Sequence, residues 1–238
     1  MKRTLVLALV STLTASVALS TFADDTKPAA PAKHAEKGDH KHEGTKPEAK
    51  KEEKKDEKKA EMAKAEIGKA APNFTLKTTE GKDWSLTDAK GKIVVLEWCN
   101  PECPACQGVS KDGTVTTMLT DLKGIDSNVV VVFINSSAAS QTSLDATGAY
   151  LKEHKINVPA LLDTEGSVGK LYDARTTPHC YVIDDKGVLR YSGAINDAKG
   201  GKAATMNYVV NAVKQIKGGE TVSPDTTKPY GCAVKYKK

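Results

Sequence analysis

The chain of 238 residues lacks large apolar side chains over a long stretch near its N-terminus. Residues 24–65 contain no Leu, Ile, Val or aromatic residue and consist almost wholly of Lys, Glu, Asp, Ala, Pro and His. Such a segment cannot bury enough apolar surface to offset the entropy of ordering it. We therefore predict a charged, disordered tether, in which His34, His40 and His42 are solvated residues rather than metal ligands.

Other absences exclude further classes of protein. No basic patch is interleaved with aromatic residues, so the net charge of +5 does not predict binding to nucleic acid. The sequence has a single Cys-x-x-Cys, with no second such pair and no nearby Cys/His pair to complete a zinc site. We predict neither a metal nor a cofactor.

The first 23 residues differ from the tether that follows. Lys2 and Arg3 precede an apolar run, which ends in Thr21-Phe22-Ala23 before the acidic residue Asp24. This pattern indicates a bacterial secretory signal cut after Ala23, because an uncut anchor would need a longer apolar run. We predict an exported protein, periplasmic or secreted, with no stable membrane insertion after cleavage. Its thiols would meet an oxidising compartment.

The strongest signal for chemistry is the sequence Cys103-Pro104-Ala105-Cys106, which follows an apolar run at 93–98. The run predicts a buried strand, and Pro104 suits the first turn of a helix. Cys103 would then lie at the positive end of that helix, where the thiolate is favoured over the thiol. Cys106, one turn later, could attack a mixed disulfide formed at Cys103. The pattern indicates dithiol–disulfide exchange; an inert disulfide and half of a metal site are the alternatives.

The remaining periodicity predicts one α/β domain at residues 66–218, followed by a tail at 219–238. Short strands alternate with helices in the order β-β-β-α-β-α-(β)-α-β-β-α, and the apolar run at 129–134 is typical of a strand buried in a parallel sheet. This order predicts a mixed central sheet flanked by helices, with an N-terminal strand extension.

The arrangement resembles the thioredoxin fold, and more closely its TlpA and peroxiredoxin (AhpC/TSA, redoxin-domain) branch. The resemblance is carried by residues 68–76, by the strand that leads into the cysteine pair, and by Thr177-Pro178 before a hairpin. It implies that Pro178 is a cis-proline, which with Thr177 and His179 shapes a substrate groove beside Cys103. An ordinary trans proline opening a strand is the alternative.

Two ionisable residues are candidates for tuning the thiols. Glu97 lies six residues before Cys103, where thioredoxins place a buried acid; burial would raise its pKa, and it could take a proton from Cys106. The alternative is a solvated carboxylate at a polar edge. His179 could face the active-site surface and favour the thiolate at Cys103, or it could be an exposed strand residue.

Three further cysteines have open roles. Under the resemblance Cys99 and Cys180 lie on neighbouring strands, where they could form a disulfide; two small buried thiols are the favoured interpretation. The tail, with Gly231-Cys232, resembles that of bacterial AhpC/TSA-type proteins that end in Gly-Cys. This implies that Cys232 could return to the site as a resolving or structural thiol. A mobile, exposed cysteine is the alternative.

These observations favour an exported thiol–disulfide oxidoreductase that acts on protein thiols and disulfides, together with an unidentified redox partner. A peroxidase is the first alternative, with Cys103 oxidised by peroxide and Cys106 or Cys232 resolving. Typical peroxiredoxins have a threonine three residues before that cysteine, and Asn100 occupies the position here. A binding module without catalysis is the second alternative.

Overall fold

A computed structural model describes residues 63–138, 144–198 and 203–238. All of them belong to the compact unit Glu57–Lys238. The predicted secretory signal, the tether up to residue 62 and the three tether histidines lie outside the described residues. The predicted boundary at residue 23 lies there too, and the predicted boundary at residue 65 stays a prediction.

Seven of the nine strands in the described part of the chain form one mixed sheet. The strands are, in chain order, β1 (Thr75–Thr78), β2 (Asp83–Ser85), β3 (Val94–Trp98), β4 (Val130–Asn135), β5 (Ala160–Leu162), β6 (Thr176–Thr177), β7 (His179–Ile183), β8 (Leu189–Gly193) and β9 (Cys232–Ala233). The sheet has the order β2-β1-β5-β4-β3-β7-β8, and β6 pairs separately with β9. The contacts of β3 with β4 and of β4 with β5 are parallel, and the other pairs are antiparallel. The predicted mixed α/β sheet is confirmed.

Five α-helices and one 3-10 helix connect the strands among the described residues. They are a 3-10 helix (Leu86–Ala89), α1 (Pro104–Lys111), α2 (Thr114–Ile125), α3 (Leu144–Glu153), α4 (Ser167–Leu171) and α5 (Tyr208–Lys217). Gly113, with φ of +81°, separates α1 from α2, because its left-handed backbone ends the first helix. Two helices therefore follow the cysteine pair.

The side chains of β3 alternate between two core layers, as expected for a strand buried on both faces. Val94, Leu96 and Trp98 pack in one layer with α4 and the N-terminal segment. Val95 and Cys99 pack in the other, against α1, α2, α3 and α5. This second layer also contains Cys103, Cys106 and Cys180, so four of the five cysteines belong to one cluster.

The C-terminal tail is packed onto the domain, although its sequence does not continue the α/β pattern. After α5 the chain crosses β8, where Thr227 N donates to Ser192 O, and then pairs with β6 as β9. Its end reaches the turn before α4, where Lys237 forms an ion pair with Glu165. The tail therefore borders the site that the sequence predicts.

Candidate thiol site

The cysteine pair lies where β3 passes into α1. Asn100 Oδ1 accepts a hydrogen bond from Glu102 N, and Cys103 N donates to Asn100 O, so a tight turn follows the strand. Cys103 is the N-cap of α1, with φ of −79° and ψ of 119°, and Pro104 occupies the first turn. The sequence predicted this position, because a proline is tolerated where the helix leaves its N–H groups unpaired.

Cys103 is buried, and its thiol has a low pKa. Its side chain is 1% exposed, and its sulfur lies 3.0 Å from Thr177 O, to which the thiol form can donate. A hydrogen bond from the Cys106 thiol is the largest influence lowering the pKa of Cys103, and a hydrogen bond from Cys232 adds to it. Together they outweigh desolvation and hold that pKa at about 4. Cys103 is therefore a thiolate at neutral pH.

Cys106 has the opposite character. It is fully buried, and its hydrogen bond to Cys103, followed by one to Cys99, raises its pKa well above the ordinary value. Tyr150 Oη donates to Cys106 O at 3.0 Å and lies 2.6 Å from Ser110 Oγ, which ties α3 to the first turns of α1. No local sequence pattern indicates Tyr150 as a support for the cysteine pair, because this contact joins residues 44 positions apart.

Glu97 is buried in the middle of β3. It is 1% exposed and lies opposite Cys180 of β7, so these two side chains are on the same face of the sheet. Cys99 is two residues after Glu97 and is therefore on that face as well. Burial raises the pKa of Glu97 to about 8. Within the described residues, Glu97 Oε2 has no hydrogen-bond partner. The raised pKa agrees with the sequence analysis, while proton transfer from Cys106 to Glu97 stays a prediction.

The buried carboxyl predicts a pH-dependent stability. Folded Glu97 holds its proton up to about pH 8, whereas the unfolded chain releases it near 4.5, so stability falls as the pH rises through this window. The loss reaches roughly 5 kcal/mol. The variant Glu97→Gln should not show this loss of stability. Urea unfolding at both ends of the window measures this best in the oxidised protein, where Cys103 does not titrate. Parallel pH curves for the two proteins would contradict it.

The tail brings Cys232 to the pair. Cys232 of β9 lies opposite Thr177 of β6, and it is half-buried at the N-terminus of α1, beside Cys103. That neighbour raises the pKa of Cys232. Gly231 has φ of +116°, and a Cβ there would lie 2.2 Å from Thr177 O and 3.0 Å from Ala105 Cβ. The position therefore needs glycine for both its backbone and its lack of a side chain.

Gly231→Ala is expected to detach β9 from β6. The clash with a backbone carbonyl adds roughly 1–3 kcal/mol to the conformational cost of a non-glycine residue. Gly219→Ala is the matched control, since Gly219 has φ of +73° and no atom within 4 Å of a built Cβ. We expect faster hydrogen exchange of the Val234 amide in Gly231→Ala than in Gly219→Ala. Equal exchange would show that β9 does not depend on this contact.

The three residues predicted to shape the substrate groove do not lie together. Thr177 and Pro178, joined by a cis peptide bond, lie beside Cys103. His179 differs from both expectations: it is 5% exposed, and it lies opposite Trp98, in the other core layer from the cysteines. Its Nδ1 lies 3.3 Å from Arg175 N and 3.1 Å from Tyr181 Oη. Burial lowers the pKa of His179 to about 4, so it supplies no cation to the thiolate.

All five cysteines lie within the described residues and are free thiols. Cys99 and Cys180 are 3% and 0% exposed and pack in the same core layer, as the interpretation of two small buried thiols requires. Cys99 also acts on Cys106, since its side chain raises the pKa of the Cys106 thiol. The cluster therefore extends inward from Cys232 through Cys103 and Cys106 to Cys99.

The described ranges contain neither a metal-binding cluster nor a membrane-spanning helix. No group of three or more His, Cys, Asp or Glu side chains there is arranged to hold a metal ion. No helix there has the length and apolar character that crossing a membrane requires.

The fold and the site define a thioredoxin-fold protein with a dithiol at the start of the first long helix. The model of the AhpC/TSA family matches residues 67–192, more than half of the chain. The chain belongs to the AhpC/TSA family.

Curated relatives match about half of the chain. "Thioredoxin-like protein YneN" of Bacillus subtilis is 31% identical over 127 residues, covering 50% of this chain and 66% of that protein. "Thiol-disulfide oxidoreductase ResA" of the same organism is 29% identical over 117 residues, covering 49% and 61%. The match thus spans somewhat less than two thirds of each relative.

Two solved structures cover more of the chain. The hypothetical protein SMc02350 of Sinorhizobium meliloti has a TM-score of 0.65 at 25% identity, covering 74% of this chain and 97% of its own. An uncharacterized conserved protein of Geobacillus kaustophilus has a TM-score of 0.64 at 27% identity, covering 72% and 93%.

Proposed function

We propose that the protein is a thiol–disulfide oxidoreductase that exchanges the Cys103–Cys106 dithiol with disulfides of protein partners. The observation that carries the proposal is the contrast between the two sulfurs. Cys103 has a pKa of about 4 at the helix N-terminus, and Cys106 remains protonated beside it. Cys103 attacks a disulfide, and Cys106 resolves the mixed disulfide that results.

The relatives support this assignment. Two of them, ResA and "Sporulation thiol-disulfide oxidoreductase A" of Bacillus subtilis, are thiol–disulfide oxidoreductases by name, at 29% and 30% identity. We also propose that the protein is exported, on the N-terminal pattern of residues 1–23, and that residues 24–65 tether the domain. In an oxidising compartment a reductase needs an external dithiol partner, whereas an oxidase needs an external oxidant.

The test is the reduction potential of the protein, equilibrated in glutathione buffers, with each disulfide mapped by mass spectrometry. We expect a reversible Cys103–Cys106 couple and turnover of insulin disulfides when dithiothreitol supplies electrons. The measured potential also sets the direction of exchange. A protein that forms no Cys103–Cys106 disulfide and leaves insulin intact would refute the assignment.

A thiol peroxidase is the second candidate, and the position of Cys232 beside Cys103 favours it. Peroxide would oxidise the Cys103 thiolate to a sulfenic acid, and Cys232 or Cys106 would condense with it, releasing water. Asn100 in place of the usual threonine and the 1% exposure of Cys103 argue for slow reaction. Stopped-flow peroxide consumption that is faster than disulfide exchange would favour the peroxidase.

A further inference from the structure

The three thiols of the site differ in their exposure to solvent. Cys103 and Cys106 are 1% and 0% exposed, whereas Cys232 is half-buried. A protein disulfide is bulky, and exchange requires the attacking sulfur to approach along the S–S axis. Of the three, Cys232 is therefore the thiol that such a partner can reach without rearrangement of the chain.

The tail covers the pair by β-pairing. β9 occupies the backbone edge of β6, with Cys232 opposite Thr177, the residue whose carbonyl lies 3.0 Å from Cys103 Sγ. Gly231 approaches Thr177 O and Ala105 so closely that no side chain fits between them. The backbone edge of β6 beside Cys103 is thus filled by the protein's own chain.

Hydrogen bonds hold the tail to the domain before it reaches the cysteine site. Thr227 Oγ1 accepts from Ala194 N at 2.9 Å, and Tyr230 Oη donates to Asn196 Oδ1 at 2.7 Å. A Cβ at Gly193 would meet Thr227 backbone and side-chain atoms, so the two segments are in close contact.

Further hydrogen bonds hold the tail to the domain after it has passed the cysteine site. Val234 N donates to Arg175 O at 3.0 Å, and Tyr236 Oη donates to Ala174 O at 2.5 Å. A Cβ at Gly166 would lie 2.6 Å from the Tyr236 ring, so that ring packs directly on the backbone. Because both sides are held, lifting β9 would break several hydrogen bonds and expose packed apolar surface. The contacts favour a fixed tail over a gate.

We propose that Cys232 is the exchange thiol of this protein: partners react at Cys232, and the disulfide then passes inward to Cys103 and Cys106. The inference rests on the proposed oxidoreductase function and identifies where in the site the partner reacts. It makes Cys232 a catalytic residue rather than a structural cap.

Each step of the relay conserves atoms and electrons. The Cys232 thiol attacks a partner disulfide, bonds one partner sulfur and passes its proton to the other, which leaves as a thiol. Cys103 thiolate then attacks Cys232 Sγ, and the second partner sulfur leaves as a thiolate that takes a proton from solvent. Cys106 attacks Cys103 Sγ and passes its proton to departing Cys232. The partner disulfide gains two electrons, and the Cys103–Cys106 pair loses them.

The first test compares Cys232→Ser with Ala233→Ser, an exposed neighbour on the same strand. We expect Cys232→Ser to keep a Cys103–Cys106 couple at equilibrium in glutathione buffers, but to reduce insulin at least about tenfold more slowly; Ala233→Ser should match the wild type. Hydrogen exchange of the Val234 amide reports whether β9 stays docked. Insulin reduction at the wild-type rate or faster, with β9 docked, would overturn the relay and make the tail a cover.

The second test traps the first step. In Cys103→Ser, insulin attached at Cys232 cannot be passed inward, so a mixed disulfide with Cys232 should accumulate under acid quench and disappear in Cys103→Ser/Cys232→Ser. An absence of adducts at Cys232 would overturn the relay. Failure of the wild type to form the Cys103–Cys106 couple would instead count against the oxidoreductase assignment, so the two failures are distinguishable.

Discussion

Cys103→Ser is expected to lower the rate of disulfide turnover at least about a thousandfold, because serine cannot form the Cys103–Cys106 disulfide that completes each turnover. Serine is close in size to cysteine, and the side chain is covered, so the fold should persist. The measurement is insulin reduction with dithiothreitol as the electron donor, with thermal unfolding as the check on folding.

Cys106→Ser is the matched variant for this prediction, since it removes the resolving thiol and keeps the attacking one. We expect Cys103 in this variant to remain in a mixed disulfide, with Cys232 or with insulin, which mass mapping identifies. Full activity in Cys103→Ser would show that the pair is not the reacting group. It would then favour a binding module, the alternative in which the fold serves without its cysteines.

Much of the fold could be predicted because its signals are local. The apolar run at 93–98, the proline at Pro104 and the glycine at Gly113 each determine structure within a few residues. The position of Cys103 at a helix N-terminus follows from these alone. The mixed sheet follows from the order of strands and helices.

The arrangement around Cys103 could not be predicted in the same way, since its contacts join distant parts of the chain. Cys232 meets Thr177 through a strand of two residues, too short to give a periodic pattern. The face of the sheet on which the His179 side chain lies depends on the register between β7 and β3. In that register His179 lies opposite Trp98, and Cys180 lies opposite Glu97. A shift of one residue would exchange the two faces.

The same register explains why one acid and four thiols share a core layer. With Cys180 opposite Glu97, both side chains are buried on the face that also holds the cysteine pair, and burial raises the pKa of each. Cys103 departs from this trend, because it receives hydrogen bonds from two neighbouring thiols. The negative charge of the reduced site is therefore concentrated on one sulfur.

That concentration predicts how the reduction potential varies with pH. Reduction of the disulfide leaves a thiolate at Cys103 and a thiol at Cys106, so one proton is taken up with two electrons. Between about pH 5 and pH 7 the potential should fall by roughly 30 mV per pH unit, half of the roughly 59 mV for a couple that takes up two protons. Glutathione equilibration at a series of pH values measures the slope.

Free dithiothreitol, equilibrated in the same buffers, is the control and should show the full slope, since both of its thiols are protonated in this range. A full slope for the protein would mean that Cys103 is protonated in the reduced state. In Cys232→Val the thiolate loses one hydrogen-bond donor, so the pKa of Cys103 should rise. The pH at which the slope changes from full to half should rise with it, which ties the acidity of Cys103 to the docked tail.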